Sequence, residues 1–504
     1  MAKNIMFVGT NSSAGKSFFV TAMCRVLSDL KYKVSPFKSQ NMALNSYVDE
    51  NNLEFGRAQA LQAFAGRIMP DARMNPILLK PRTDKKSDVI LLGKKTDTYD
   101  AKQYYKIKSK YLPYIKKAYQ ELSNISDIIV LEGAGSPAEI NLLDGDFVNM
   151  GMAEMVDAPV ILVADIDKGG VFASIYGTIM LTPEKWRKYY KGVIINKFRG
   201  QKEILKSGIQ EIEKLTKVPV ISVMPYIDVE IEEEDSLTNK LKLYSYDKDK
   251  INITIIKLPN LSNFTEFSPL TLFQDVNVNY ITIRDDIPTN TDILIIPSSK
   301  NIFKDLEEIV KVGFDEKLKS YAEYKNILAI GNAVELLAKN IYDIQSIYSD
   351  KKDKKALGLL DIDISTVQSF SEKINVKIIN KQGLLQNSQD EINLYRIKTG
   401  EIKISKIEDI NKFSDNTQIT MKFENEVISV QKRNILGIYA FGVFENTKFI
   451  NNILNDLRIK KSIKPIDVHL DYNAYREKQI CKLADEFNKY IDIKKLMDII
   501  ESGV

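Results

Sequence analysis

The chain has 504 residues, 44% of them apolar, with 71 basic and 67 acidic residues and a net charge of +4. This length and apolar share suit a soluble protein of two or three units with sizeable cores, and the even charge balance gives no reason to expect nucleic acid or an anionic membrane as partner. Two cysteines and a single histidine exclude a disulfide framework, a multi-histidine metal site and a structural zinc site. The first residues run straight into a strand pattern without a signal-peptide signature, and no apolar run nears the roughly 20 residues that span a bilayer, so a cytoplasmic location is expected.

The first half alternates short apolar strands with helical segments. Residues 4–8 read as a strand. Residues 16–30 have helical spacing, with Phe19, Met23, Val26, Leu27 and Leu30 on one face. Further β-branched runs at 34–37, 128–131, 160–163, 193–195 and 220–223 read as strands covered on both faces. That order implies a parallel sheet with helices on both sides. A charge run at 230–235 reads as a solvated connector. A second α/β pattern follows, with strands expected at 253–258, 293–296, 327–330 and 435–443. Residues 473–500 read as an amphipathic helix with Cys481 buried on its apolar face. The expected units are 1–235, binding nucleotide, and 251–504, ending in the helical tail.

Between the first strand and the first helix lies Gly9-Thr-Asn-Ser-Ser-Ala-Gly15-Lys16-Ser17. Strand, glycine-rich loop and helix together define a phosphate-binding loop. The first glycine stands one residue earlier than the usual spacing, at Gly9, and Thr10 takes its place. Thr10, Asn11, Ser12, Ala14, Gly15, Lys16 and Ser17 are therefore the expected ATP-binding residues. Backbone amides and the helix N-terminus would meet phosphate oxygens. Lys16 would reach the β- and γ-phosphates, and Ser17 would ligand Mg²⁺. The strand at 128–131 ends in Glu132-Gly-Ala-Gly135. An acid there can hold the metal directly or through water. Asp127, at the strand's other end, reads as structural. Asp165 and Asp167 either support the metal or cap a helix.

The loop resembles that of the dethiobiotin synthetase group, and longer stretches resemble the glutamine-hydrolysing cobyric acid synthase family. These include Pro36-Phe-Lys38-Ser-Gln40-Asn41-Met-Ala-Leu-Asn45-Ser46, Gly56-Arg57-Ala-Gln59, Met74-Asn75-Pro76, Glu132-Gly-Ala-Gly-Ser136-Pro137-Ala-Glu139-Ile-Asn141, Asn149-Met150-Gly151, Ile195-Asn196-Lys-Phe198-Arg199-Gly200, Glu234-Asp235-Ser236-Leu237 and Pro297-Ser-Ser-Lys300-Asn301. The likeness runs in order through nearly the whole chain. It implies a P-loop NTPase-like α/β domain followed by a class I glutamine amidotransferase-like α/β domain. It also implies ATP-dependent amidation of corrin side-chain carboxylates on adenosylcobyrinic a,c-diamide. Lys16, Lys38 and Glu132 are the implied catalytic residues. Gln40, Asn41, Asn45, Glu139, Asn141 and Asp146 are the implied substrate contacts, although such polar loops are also common as plain turns.

In this family the second domain carries a nucleophilic cysteine on a strand-to-helix elbow and a histidine on a later strand. Here the elbow reads Ile330-Gly331-Asn332-Ala333, and the later strand reads Tyr439-Ala-Phe441-Gly442. Gly331 and Phe441 stand where cysteine and histidine are expected. A third family stretch, Tyr-Glu-Ile-His-x-Gly, reads Tyr395-Arg396-Ile397-Lys398-Thr399-Gly400. A degenerate glutaminase is expected. The nitrogen would be free ammonia or ammonia from a separate glutaminase, or the domain would persist for packing, corrinoid binding or homo-oligomerisation. A P-loop ATPase acting as a switch, or an amidoligase of another carboxylate, are the competing readings.

Overall fold

A computed structural model describes residues 2–82, 86–231, 246–348, 353–404, 416–467 and 470–504. The connector after Ile231, the Glu234–Leu237 stretch and His469 lie outside the described residues.

The first unit is built on a six-stranded parallel sheet. Its strands run in the order Val220–Pro225, Tyr190–Phe198, Val160–Asp165, Lys3–Gly9, Ile128–Glu132 and Val34–Phe37. Every expected strand of this half is present. Their apolar runs are buried on both faces, as a sheet sandwiched between helices requires, except on the edge strand Val220–Pro225, where Val220 and Ile221 are half-buried. Lys3–Gly9 lies in the centre and pairs in parallel with both Ile128–Glu132 and Val160–Asp165. The carboxyl ends of these three strands therefore meet at one point on the sheet edge, where α/β ligands bind.

Beside this sheet stands a four-stranded one that the sequence pattern did not announce. It orders Gln40–Met42, Ile77–Pro81, Lys86–Leu91 and Lys94–Asp100. Its outer strand, Lys-Lys-Thr-Asp-Thr-Tyr-Asp, carries no apolar alternation to reveal it.

The second unit has an eleven-stranded mixed sheet among the described residues. Five parallel strands form one half, in the order Val276–Thr282, Ile251–Lys257, Ile293–Ile296, Asn326–Ile330 and Ile435–Ile438. The other half is largely antiparallel and is dominated by the long pair Ile362–Ile378 and Glu391–Ile404. The strand expected at 435–443 stops at Ile438. Beyond it the chain leaves the sheet, and Phe441 forms a single bridge to Tyr395.

The tail differs most from expectation. It forms two helices, Tyr472–Tyr490 and Ile493–Ser502, and they pack on the first unit. Ile480, Leu483, Phe487, Leu496 and Ile500 share one apolar core with Phe7, Phe19, Val20 and Met23. Phe487 meets Phe19 edge-on at 6.0 Å between ring centroids. Ser222 Oγ donates to Tyr490 O at 2.7 Å, and the buried Arg25 pairs with Glu477. Cys481 is half-buried rather than buried, because its side of the helix faces this polar pair, and its Sγ lies 3.9 Å from Glu477. Truncating Phe487 to Ala should cost about 3–5 kcal/mol. Trp186, the one tryptophan, sits buried in the first unit, so its fluorescence should report the lowered denaturant midpoint.

Candidate functional site

The loop after Lys3–Gly9 folds as the motif requires. Gly15 has φ +105°, a left-handed conformation, and a Cβ there would meet Asn196 Nδ2 at 2.4 Å. Only glycine serves at this corner. Gly15 is also the N-cap of the helix Lys16–Asp29, and no side chain caps that end. Its first amides are thus available to an anion. The Lys16 ammonium curls over the loop, donating to Asn11 O at 2.9 Å, Ser12 O at 3.1 Å and Gly135 O at 3.1 Å. The Thr10 amide is used by Val163 O at 3.0 Å, and the Ala14 amide points to Asn11 O at 3.4 Å. Ser12, Gly15, Lys16 and Ser17 line the adjoining cavity, whereas Thr10, Asn11 and Ala14 stand behind it and shape the loop.

Glu132 is the centre of the site. It is 2% exposed, and Lys38 beside it is 5% exposed. Glu132 Oε1 accepts from Ser17 Oγ at 2.9 Å and from Lys38 Nζ at 2.8 Å, and Oε2 accepts from Gln62 Nε2 at 2.5 Å. Burial pushes this carboxyl up. The Lys38 charge, the hydrogen bonds from Lys38 and Gln62, and the charge of Lys16 outweigh burial and hold it below the usual carboxylate range. The group is thus an anion at neutral pH, poised between a serine hydroxyl and a lysine.

These residues open onto a cavity of about 940 Å³. Gln40, Asn41, Glu139 and Asp146 line it as well. Gln40 accepts from the Tyr104 hydroxyl, and Asn41 Nδ2 donates to Gln59 Oε1 at 3.2 Å. Two expected contacts, Asn141 and Asn45, lie outside the cavity wall, and Asp146, although on the wall, has its carboxylate committed to the backbone. Asp146 accepts from the amides of Val148, Asn149 and Gly151 at 2.8, 3.1 and 2.8 Å. Its carboxylate therefore shapes the turn into the helix Met150–Val156. Asn141 is exposed outside the cavity wall. Asn45 is buried where the units meet, with its Oδ1 3.5 Å from Thr265 Oγ1. Asp165 pairs with Lys197 at 2.9 Å and caps no helix, since Gly170 is the N-cap of the helix Val171–Leu181.

Sequence reasoning assigned no role to Lys197, Asn196 or Gln62. Lys197 donates to Ser13 O at 2.7 Å, and Asn196 Nδ2 donates to Ala14 O at 2.9 Å, so the strand two places away buttresses the loop. Lys197 has φ +61°, an uncommon conformation for lysine. Its place within Asn196-Lys-Phe198-Arg199-Gly200 was the available signal.

In the second unit, Gly331 closes the strand Asn326–Ile330 at the elbow with φ +62°. A Cβ at this position would lie 2.4 Å from the Phe441 ring. Phe441 in turn stacks on Tyr395 at 5.6 Å. Gly331 and Phe441 are thus neighbours, as the family pattern implies, and the ring fills the space above the elbow. Lys398 pairs with Glu401 and Glu426 at 2.9 and 2.8 Å. Below the elbow Glu335 is fully buried and accepts from Tyr439, Tyr348 and Thr399. Burial drives its carboxyl up to about 7 against the pull of those hydrogen bonds. Cys24 is buried in the first unit's P-loop helix, where burial pushes its thiol up. A further cavity of about 690 Å³ runs from Phe441 and Asn332 toward Lys80 and Arg82 of the first unit.

No cluster of three or more His, Cys, Asp or Glu side chains suited to a metal occurs among the described residues. No helix of the described residues is long and apolar enough to cross a membrane. Residues 5–238 match the CobQ/CobB/MinD/ParA nucleotide binding domain, and residues 252–449 match the CobB/CobQ-like glutamine amidotransferase domain. The chain is 44% identical to a cobyric acid synthase of Limosilactobacillus reuteri, covering 99% of each chain. It is 44% identical to one of Clostridium kluyveri over 98% of each, and 41% identical to one of a Thermoanaerobacter species over 99% of each. With a nucleotide-binding α/β unit, an amidotransferase-like α/β unit and full-length likeness to these proteins, the chain belongs to the cobyric acid synthase family.

Proposed function

We propose that this chain amidates the side-chain carboxylates of adenosylcobyrinic a,c-diamide at the expense of ATP in cobalamin biosynthesis. Ammonia is supplied free or by a separate protein. A carboxylate is a poor electrophile. Its oxygen attacks the γ-phosphorus of ATP, ADP leaves, and an acyl phosphate results. Ammonia then attacks the acyl carbon, phosphate departs with the former carboxyl oxygen, and the nitrogen loses a proton. Such chemistry asks a protein mainly for positioning and charge neutralisation. Lys16 would leave its backbone carbonyls for the terminal phosphates. Lys38, held on Glu132, would offset the charge of the approaching carboxylate.

Ser17 Oγ and Glu132 offer two hard oxygen ligands only 2.9 Å apart. That set fits Mg²⁺, which takes few protein ligands and the rest from phosphates and water. Bound there, the ion would neutralise phosphate charge.

The observation that carries the reading is the Ser17–Glu132–Lys38 cluster beside Lys16 at the wall of a cavity with room for a second, large ligand. The test is to supply ATP, Mg²⁺, the corrinoid diamide and ammonium, and to count added amides by mass spectrometry. Amides should accumulate with ammonium. Their absence, with ADP equally absent, would reject the reading.

A further inference from the structure

We propose that Lys300, carried by the second unit, binds a carboxylate of the substrate in the nucleotide cavity, and that the altered elbow holds it there. This rests on the amidation reading above. Lys300 lies in the loop after the strand Ile293–Ile296, yet it lines both the 940 Å³ cavity and the neighbouring 690 Å³ cavity. It therefore brings a charge from the second unit to the wall that also holds Lys16, Lys38 and Glu132.

The loop beneath it is pinned on both sides. The Ser299 amide donates to Asn332 Oδ1 at 2.9 Å, and Asn332 Nδ2 donates back to Ser299 O at 2.7 Å. Ser298 Oγ adds a bond to the same Asn332 oxygen at 2.8 Å. Ser299 Oγ donates to the buried Asp305 at 2.5 Å. The Lys300 amide donates to Asn260 O at 2.8 Å, and Asn260 Nδ2 is tied to Asp305 at 2.8 Å. Asn301 caps the helix Ile302–Lys311 through the Lys304 amide. Backbone freedom is thus removed around Lys300, while its side chain projects half-buried into the cavities. Asn332 immediately follows Gly331, so the residue that clamps this loop belongs to the elbow itself.

Of the cavity's other cations, Lys168 stands exposed to solvent, and four have protein partners. Lys38 is on Glu132, and Lys197 is on Asp165. Lys16 is on backbone carbonyls. Lys108 packs over the Tyr105 and Phe147 rings. Within the described residues no hydrogen bond or ion pair engages the Lys300 ammonium. The buried Asp305 beneath the loop feels this charge, but its carboxylate is bonded to Ser299 and Asn260 and makes no ion pair with Lys300. A cation on a pinned backbone and without an ion-pair partner, in a cleft with low-dielectric walls, draws an anion. A corrinoid bearing several carboxylates is that anion, and Lys300 would hold one while another is activated.

The test compares wild type, Lys300→Met, Lys300→Arg and Asn332→Ala in two assays. One is spectral titration with the corrinoid diamide, and the other is steady-state amidation with ammonium. Lys300→Met should weaken corrinoid binding and raise its KM about tenfold, the effect of one lost charge contact, with the KM for ATP unchanged. Lys300→Arg should restore most of the loss. Asn332→Ala, a positioning change, should shift corrinoid KM in the same direction by less. Corrinoid affinity should fall less steeply with salt in Lys300→Met than in wild type. Unchanged corrinoid affinity in Lys300→Met, an equal loss of ATP affinity, or failure of arginine to rescue would overturn the proposal. A wild type that binds the corrinoid without amidating it would sink the functional reading alone, since the titration still decides the role of Lys300. A wild type that does not bind the corrinoid would overturn both.

Discussion

Glu132→Ala is expected to slow amidation by about 10²–10³-fold and to destabilise the first unit by about 3–5 kcal/mol. Both effects have one cause. Lys38, Ser17 and Gln62 all point their hydrogens at this carboxylate, and Lys38 is 5% exposed. Removing the acid leaves a buried ammonium without its counter-charge and removes the residue that orients Lys38 and Ser17 toward the phosphates. A second substitution separates the two losses. Lys38→Met together with Glu132→Leu replaces the ion pair by apolar side chains, which often restores stability. The double variant should therefore recover much of the denaturant midpoint while amidation stays at the single-variant level or lower. If the double variant regained activity, the pair would be structural only. The pH sign follows from the same contacts. The folded-state pKa of Glu132 lies below its unfolded value. Its contribution to stability is therefore complete above the ordinary carboxylate pKa of about 4.3 and is lost as pH falls through the lower folded value. Wild type should lose this increment in acid, and the double variant should not.

Glutamine as sole nitrogen source is expected to give no amide, and Gly331→Cys is expected not to repair this. The elbow residue has φ +62°, and the Phe441 ring would lie 2.4 Å from a new Cβ. A side chain there must bear left-handed strain and displace a ring stacked on Tyr395. The two costs together are about 2–4 kcal/mol. Adding Phe441→Ala to Gly331→Ala should remove the clash and leave the backbone strain. A denaturation double-mutant cycle should therefore show coupling between the two sites. Additive losses would mean that the ring does not fill the elbow. Glutamine-dependent amidation by the purified wild-type chain would end the proposal of a lost glutaminase activity.

What the sequence made legible was whatever local physics enforces. Strands buried on both faces stand out as apolar runs, so the six-stranded sheet could be read almost residue by residue. The P-loop was equally legible, because a left-handed Gly15 before a helix leaves few alternatives. The position of Glu132 beside Ser17 was legible for the same reason, as an acid at the end of an apolar strand. Misplacements arose where a polar residue has two uses. Asp146 does reach the cavity wall, as its polar loop suggests, but only the fold shows its carboxylate committed to three amides. Asn45 lies in a polar loop whose partner, Thr265, is more than two hundred residues away. The tail illustrates the same limit. Its helical period was plain, but an apolar face does not name its partner.

That partner has a consequence for biosynthesis of the chain. As the polypeptide leaves the ribosome, a leading domain ordinarily folds before the next is made. Here the layer outside the P-loop helix is supplied by residues 472–502. The nucleotide-binding half must therefore wait, with the apolar flank around Phe19 bare, until the amidotransferase-like half has been translated. Expressing residues 1–231 alone would leave that flank open to aggregation, and supplying the missing helices in trans would be the way to rescue it.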